Sequence, residues 1–311
     1  MPALPETPDA PRPLTGLTPA TLDLHFLGNL GAVASYAFDT GDGLALVDTG
    51  PSTTLEALKS GLKAHGARLE DVRHILLTHI HLDHAGAAGT LLEELPQARL
   101  YVHARGAAHL LRPGRLLSSA AHIYGDRMES LWGEMRPVTQ DRLTALEESS
   151  TLRLGRTEVR ALPTPGHAVH HLSFVAGEEL YAGDVGGIRV AQEQQPTAPT
   201  PPPDIDLAAW ENSAALLRGL DVRWIHLAHF GTYAQEAAHW DGLMDSLHRA
   251  SEIVGRGLEA GASQEDMTRH LTEALYAGLD AGLVARLEAT NPAWMNVQGL
   301  TRAWQLRKGE A

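Results

Sequence analysis

The sequence predicts an α+β fold followed by a helical C-terminal region. Short apolar segments with strand character, separated by Gly-rich turns, recur between residues 22 and 230, whereas every pattern after Tyr233 is helical. With 311 residues the chain can form one large domain or a domain with an appendage, and its 43% apolar fraction is enough for a packed core. We therefore divide it into a flexible Pro-rich N-terminus (1–20), a main domain (21–234) and a C-terminal helical region (235–311).

The first half of the main domain is predicted to contain hairpin strands and then a β-α-β unit. Residues 22–50 alternate apolar segments with Gly-rich turns, as hairpins do. Leu55, Leu58 and Leu62 follow at helical spacing, and Gly66 marks the end of that helix. The unit that comes next has a strand at 75–77, a helix at 88–95 and a strand at 99–103, before a helical insertion at 104–150.

The second half resumes with strands and ends in helices. Strands are predicted at 158–162, 172–176 and 179–182, a Pro-rich connector at 192–203, a helix at 204–220 and a strand at 222–228. The connector is either a wall of a site or a passive surface loop. The last helix begins at Asn291–Pro292 and has an apolar face that can pack on the main domain, cover a site or form a dimer surface: Trp294, Val297, Leu300 and Trp304.

Four potential metal ligands occur within six residues, directly after the strand at 75–77: His79, His81, Asp83 and His84. Imidazole and carboxylate together suit zinc, iron, manganese and similar divalent ions. If the extended conformation continues, residues two apart share a side, so His79, His81 and Asp83 face one way. The alternative is a solvated His-rich loop, which requires a chance cluster among 17 histidines in the whole chain.

This run resembles the His-x-His-x-Asp-His signature of the metallo-β-lactamase superfamily. Four further elements of that family occur in its order, and the resemblance covers residues 25–232. They are an aspartate that ends a strand, a histidine in a Pro-Gly-His turn, an aspartate after a short strand and a histidine at a strand end: Asp48, His167, Asp184 and His229.

The resemblance implies a four-layer αββα sandwich with a C-terminal helical extension, in which metal ligands lie on loops along one edge of two facing sheets. It also implies two divalent metal ions, with zinc first and iron or manganese as alternatives. One ion would take His79, His81 and His167, the other Asp83, His84 and His229, and Asp184 would bridge both. Asp83 is further expected to deliver a proton to the leaving group. Asp48 either orients a ligand histidine or caps its turn.

The function implied is that of a dinuclear metal-dependent hydrolase, in which a metal-bridging hydroxide attacks a small ester, thioester or lactone. The motifs are similar to those of the glyoxalase II and acyl-homoserine lactonase groups. Three alternatives stay open: a phosphodiesterase with the same two ions, a mononuclear iron persulfide dioxygenase and a non-enzymatic metal-supported scaffold. We expect at least one of His170 and His171 at the surface, and His226 to face away from His229 into the core.

Composition restricts the partners. The formal net charge is −13 and no dense Lys/Arg block occurs, which disfavours nucleic acid. No apolar stretch approaches the ~20 residues that span a membrane, and residues 1–19 lack the features of a signal peptide. The absence of cysteine excludes disulfides and thiolate ligands and fits a cytoplasmic protein. A small-molecule substrate and a homodimer are the expected partners.

Overall fold

Two six-stranded sheets form the centre of the molecule. The computed structural model describes residue 14, residues 16–191 and residues 194–309. Most of the N-terminal segment 1–20 therefore lies outside the described residues. The first sheet contains, in spatial order, β1 (Ala20–Asp23), β2 (Ala34–Asp39), β3 (Leu44–Val47), β4 (Val72–Leu76), β5 (Arg99–His103) and β6 (Leu143–Leu146).

The second sheet follows the first along the chain. Its six strands lie side by side in chain order: β7 (Ser150–Leu154), β8 (Thr157–Pro163), β9 (Leu172–Ala176), β10 (Glu179–Tyr181), β11 (Trp224–Leu227) and β12 (Gly231–Ala234). Neighbouring strands are antiparallel, except that β10 and β11 are parallel.

The described chain has eleven α-helices, which pack outside the sheets and complete the αββα sandwich with its C-terminal extension. No helix in this described part is long and apolar enough to cross a membrane. The helices are α1 (Leu55–Ala64), α2 (Leu82–Ala85), α3 (Ala88–Glu94), α4 (Ala104–Leu111), α5 (Gly114–Tyr124), α6 (Met128–Trp132), α7 (Leu207–Arg218), α8 (Ala237–Glu259), α9 (Gln264–Leu275), α10 (Ala281–Thr290) and α11 (Ala293–Lys308).

Alternating side chains of each strand fill different layers, which explains why whole strands are apolar. In β2, Tyr36 and Phe38 lie between the sheets and pack with Phe174 and Tyr181 of the second sheet. Leu46 and its neighbours on the other face pack beneath α1. Because both faces of β3 are buried, its four residues form a continuous apolar run rather than an alternating pattern.

The C-terminal helices share one apolar cluster with the second sheet. Trp240 and Leu247 of α8 and Val297 of α11 pack in this cluster with Ile225 and Leu227 of β11. The sequence left three places for the apolar face of α11: on the main domain, over a site or at a dimer surface. In the structure this face packs on the sandwich. The helices after residue 235 cover sheet surface that would otherwise be exposed to water.

Four short elements differ from the sequence prediction. The segment 104–150 contains α4, α5 and α6 as expected, but it ends in β6 and β7 begins at Ser150. Both β12 and α10 were also missing from the prediction. The three strands have only four or five residues, which is too few for a clear periodic signal.

Removal of the C-terminal helices should prevent folding. A chain that ends at Gln235 loses every partner from α8 to α11, and each buried Leu or Ile side chain thereby exposed costs about 1.5–3 kcal/mol. We expect insoluble protein or loss of the cooperative thermal transition measured by circular dichroism. A soluble, monomeric truncation with an unchanged transition would contradict this.

His239 should make docking of α8 sensitive to acid. Its Nε2–H donates to the Gly186 carbonyl over 2.9 Å, and burial lowers the pKa of His239 to about 4. Because the unfolded pKa is about 6.5, the neutral form contributes stability above pH 6.5, which is lost as pH falls through 4. His239→Gln keeps a hydrogen-bond donor but does not titrate. Between pH 7.5 and pH 4.5 the unfolding free energy of wild type should therefore fall further than that of the variant. An unchanged gap in denaturant titrations would refute this.

Candidate metal centre

The seven predicted ligands lie on loops that follow four strands. The His-rich run comes after β4, His167 after β8, Asp184 after β10 and His229 after β11. Their ligand atoms form three groups whose members lie within 4.8 Å of one another: His79, His81 and His167, then Asp83, His84 and His229, and finally His79, His84 and Asp184.

Asp83 does not lie on the same side as His79 and His81, so the extended continuation expected from the sequence is wrong beyond His81. The chain turns at that point, because α2 begins at Leu82 with His81 in the N-cap position. Helical geometry then places Asp83 with His84 and with the distant His229, whose Nε2 lies 3.4 Å from Asp83 Oδ2.

Asp184 lies between two sets of histidines and directs one oxygen toward each. Its Oδ1 is 3.3 Å from His84 Nε2 and 3.5 Å from His229 Nε2. Its Oδ2 is 3.4 Å from His167 Nε2 and 4.0 Å from His79 Nε2. This is the arrangement that a carboxylate needs to bridge two cations.

Three imidazole nitrogens converge on the first side of the centre. His81 Nδ1 is 3.0 Å from His79 Nε2 and 2.9 Å from His167 Nε2. Burial lowers the pKa of His79, His81 and His167, so the three rings are held neutral, as metal ligation requires. Three nitrogens bound to one tetrahedral zinc at 2.0–2.1 Å would be about 3.3 Å apart, so little movement separates this arrangement from a ligated one.

In two of the ligand histidines, the ring nitrogen that faces away from the centre donates a hydrogen bond to a backbone carbonyl. His167 Nδ1–H donates to the Pro199 carbonyl over 2.9 Å, and His229 Nδ1–H donates to the Ala32 carbonyl over 3.1 Å. A carbonyl can only accept, so Nδ1 bears a proton in both rings and Nε2 is the atom that faces the centre. Such outer contacts are what hold metal-binding histidines in orientation.

Asp48 orients two more of the ligand histidines, His84 and His79. Its Oδ2 lies 2.9 Å from His84 Nδ1 and accepts from Thr78 Oγ1 over 2.8 Å, while its Oδ1 accepts from the Thr78 amide over 2.7 Å. Thr78 Oγ1 in turn lies 3.0 Å from His79 Nδ1. Of the two roles predicted for Asp48, the structure therefore has the contact with a histidine, and it reaches a second histidine through Thr78.

Carboxylates determine the charge on the second side. Burial alone would lower the pKa of His84 and His229, but the carboxylates of Asp184 and Asp83 raise both, that of His229 to about 9. Burial would likewise raise the pKa of Asp184, yet His84 and His229 hold it below its usual range. Divalent cations can replace these imidazole protons, because metal and protons compete for the same lone pairs.

The donor set fits bound metal. His84 Nε2 and Asp184 Oδ1 are buried and face each other over 3.3 Å, but neither forms a hydrogen bond in the described structure. Unsatisfied buried polar atoms are rare and call for a cause. Imidazole and carboxylate donors with fixed outer contacts, facing a shared centre, are ligands that zinc, iron and manganese accept.

The neighbouring histidines were placed differently by sequence reasoning. His170 and His171 are both buried, at 7% and 0% exposure, so the expectation of a surface position is wrong. His171 Nδ1 lies 2.8 Å from Thr164 Oγ1, and its Nε2 accepts from the Val185 amide over 3.4 Å, which supports the turn that carries Asp184. No sequence signal marks these roles.

His226 faces the core as predicted. Its Nε2 is 2.7 Å from Glu179 Oε2, and its Nδ1 is 2.9 Å from Thr232 Oγ1. The strand geometry of β11 thus separates His226 from His229.

A cavity opens above the centre. Three segments form its walls: helices α5 and α6, the Pro-rich connector, and the junction of α10 with α11. Both the connector and the residues Tyr124 and Trp132 thus line the site, whose floor includes Asp83. No Lys or Arg is among the described lining residues, which are mainly apolar: Leu82, Leu116, Ala120, Ile123, Tyr124, Trp132, Pro199, Pro201, Pro202, Pro203 and Met295, with Ser119, Thr290 and Asn291.

Replacement of Asp184 should remove more metal than replacement of Asp48. Asp184 faces both histidine sets directly, whereas loss of an outer contact such as Asp48 costs about 10–100-fold in metal affinity or activity. We expect Asp184→Asn to leave at most one zinc per chain by elemental analysis, and Asp48→Asn to keep both ions at saturating zinc. Equal metal loss in the two variants would place Asp48 among the direct ligands.

Similarity to known proteins extends over most of the chain. A family model described as the metallo-beta-lactamase superfamily matches residues 28–229. The chain is 30% identical over 166 residues to a metallo-beta-lactamase fold-containing protein of Sulfurisphaera tokodaii, covering 52% of this chain and 62% of that protein. It is 28% identical over 194 residues to a thioesterase of Emericella nidulans, covering 59% and 44% respectively.

A hydroxyacylglutathione hydrolase of a Shewanella species is 26% identical over 151 residues, covering 49% of this chain and 43% of that enzyme. The chain thus spans about half the length of the curated relatives it matches. Among solved structures, a metallo-beta-lactamase family protein of Thermus thermophilus has a TM-score of 0.69 at 22% identity, with 94% of each chain covered. That likeness extends the shared fold over most of the C-terminal helices.

Proposed function

This chain belongs to the metallo-beta-lactamase superfamily, and from that membership we propose that it is a metal-dependent hydrolase of small, uncharged esters, thioesters or lactones. The observation that carries the proposal is the position of Asp184, with one oxygen toward His84 and His229 and the other toward His167 and His79. A centre with that division has donors for two ions.

The residues have distinct tasks in this reaction. His79, His81 and His167 would hold one divalent ion, Asp83, His84 and His229 the other, and Asp184 would contact both. Two bound ions, zinc in the first instance, would supply Lewis acidity and lower the pKa of water from 15.7 to about 7.

Asp83 is the candidate for proton transfer to the leaving group. Its side chain is 19% exposed and lies at the cavity floor, whereas the side chain of Asp184 is 5% exposed. A carboxylate that reaches the cavity can accept a proton and release it to a substrate oxygen or sulfur bound there.

The cavity supports an uncharged substrate. Away from the metal ligands its described lining is mainly apolar and has no Lys or Arg, so an anionic group on the part of the substrate remote from the ions would be desolvated without a partner. This favours a thioester, ester or lactone whose acyl group is uncharged. The relatives named as thioesterase and hydroxyacylglutathione hydrolase support thioester hydrolysis as the first reaction to assay. A mononuclear dioxygenase would leave the Asp83, His84 and His229 group without a task.

Metal stoichiometry tests the paired site. Zinc-replete protein, freed of excess ion by gel filtration, should contain two ions per chain by elemental analysis, with His229→Ala retaining one. The reason is that His229 belongs to only one of the two groups. A wild-type value near one would contradict the paired site.

The charge of the acyl group tests the substrate class. Butyryl and succinyl thioesters of one uncharged thiol differ chiefly in a terminal carboxylate. We expect wild type to prefer the butyryl substrate at least about tenfold in kcat/KM, or ~1.4 kcal/mol. Met295→Lys should narrow that preference, and Met295→Leu is the matched control. No turnover of any ester, thioester or lactone by fully loaded protein would reject the proposed function.

A further inference from the structure

The single peptide group between Pro199 and Thr200 connects the C-terminal helix to the metal centre. Its carbonyl accepts from His167 Nδ1 over 2.9 Å, and its N–H donates to Asn296 Oδ1 over 2.7 Å. The peptide group is planar and trans, so the directions of the carbonyl and the N–H are fixed relative to each other. Whatever sets the plane of this peptide therefore sets the orientation of the acceptor for His167.

Asn296 is built to set that plane. It is 2% exposed, and its Oδ1 also accepts from Thr200 Oγ1 and from Asn291 Nδ2, both over 3.0 Å. A backbone N–H can only donate, so the amide oxygen of Asn296 must face Thr200. Four of the five residues at 199–203 are prolines, so Thr200 has the only backbone N–H in that segment, and Asn296 receives it.

The surface of α11 is shaped to the connector around this contact. Gly299 lies one turn after Asn296, and a Cβ there would be 2.0 Å from the Thr200 carbonyl oxygen. Another turn along the helix, Arg302 Nε donates to the Pro203 carbonyl over 3.3 Å. Residues three apart share a helix face, so one stripe of α11 holds the whole wall segment by its backbone.

We propose that Asn296, on the C-terminal helix, is a positioning residue of the metal centre that acts through the Pro199–Thr200 peptide to fix the tautomer and orientation of His167. The inference rests on the proposed function, because it treats His167 as a metal ligand. It assigns the helical extension a task in the chemistry, in addition to packing and to lining the cavity with Met295.

The tautomer of His167 in metal-free protein is the direct test. Long-range ¹H–¹⁵N NMR of wild type should report a single species protonated at Nδ1. Asn296→Ala should give a mixture of tautomers and zinc affinity weaker by about 10–100-fold in competition with a chelator. Asn296→Asp keeps an acceptor for the Thr200 N–H and should retain the wild-type tautomer.

Two control variants separate positioning from general loss of stability. Thr200→Val removes a hydroxyl donor to Asn296 but keeps the peptide N–H, so His167 should stay unchanged. Val297→Ala opens a space in the core beside Asn296 without removing a hydrogen bond to the connector, and it should lower thermal stability without altering the tautomer.

Three spectroscopic results would overturn the proposal: a tautomer mixture in wild type, an unchanged tautomer in Asn296→Ala, or the same change in Val297→Ala. If Asn296→Ala does not fold, a tautomer mixture in wild type still overturns the proposal. Because the tautomer is read without metal or substrate, it stays informative if the hydrolase assignment fails. Conversely, wild-type zinc affinity and full turnover in Asn296→Ala would reject the positioning role alone.

Discussion

The carboxylate of Asp184 lies between the two sets of histidines, where loops from both sheets converge. Each of its oxygens faces a different pair of imidazoles, at 3.3–3.5 Å for three of the four contacts. A buried carboxylate without compensating charge is costly. Here His84 and His229 provide that charge, and divalent cations can do so in their place. The loops that contribute these residues come from four strands, so the sandwich has to bring four strand ends to one edge before the centre exists.

Around this carboxylate, orientation depends on hydrogen bonds one step outside the ligand set. Asp48 aligns His84 directly and His79 through Thr78, and backbone carbonyls align His167 and His229. These partners come from distant parts of the chain, yet each acts by the same means: it binds one ring nitrogen, so that the other ring nitrogen faces the centre. The centre is consequently preorganised without metal, and the entropy of ordering the rings is met during folding.

The cavity shows the same dependence on distant segments. One wall comes from the insertion at α5 and α6, another from the Pro-rich connector, and a third from the junction of α10 and α11. The last two are joined through Asn296, so access to the site and orientation of His167 depend on one contact region. The apolar side chains of the C-terminal helices thus cover the outer face of the second sheet, and their polar side chains hold the connector beside the site.

The sequence by itself determined the fold class and the identity of the converging residues. Each ligand directly follows a strand in a short local motif, and local order along a chain needs no tertiary information to be read. The buried strands and the C-terminal helices could be predicted from the sequence for the same reason, because their patterns are also local. The family resemblance also implied that Asp83 groups with His84 and His229, whereas strand alternation placed it with His79; the tertiary structure shows that the chain turns into α2 at Leu82, which brings Asp83 to His229. It also decided the acceptors of His167 and His229. These are backbone carbonyls, which every residue has, so no side-chain pattern can mark them. The contact from Asn296 to Thr200 spans 96 positions, and such pairings arise only when separately folded elements pack against each other.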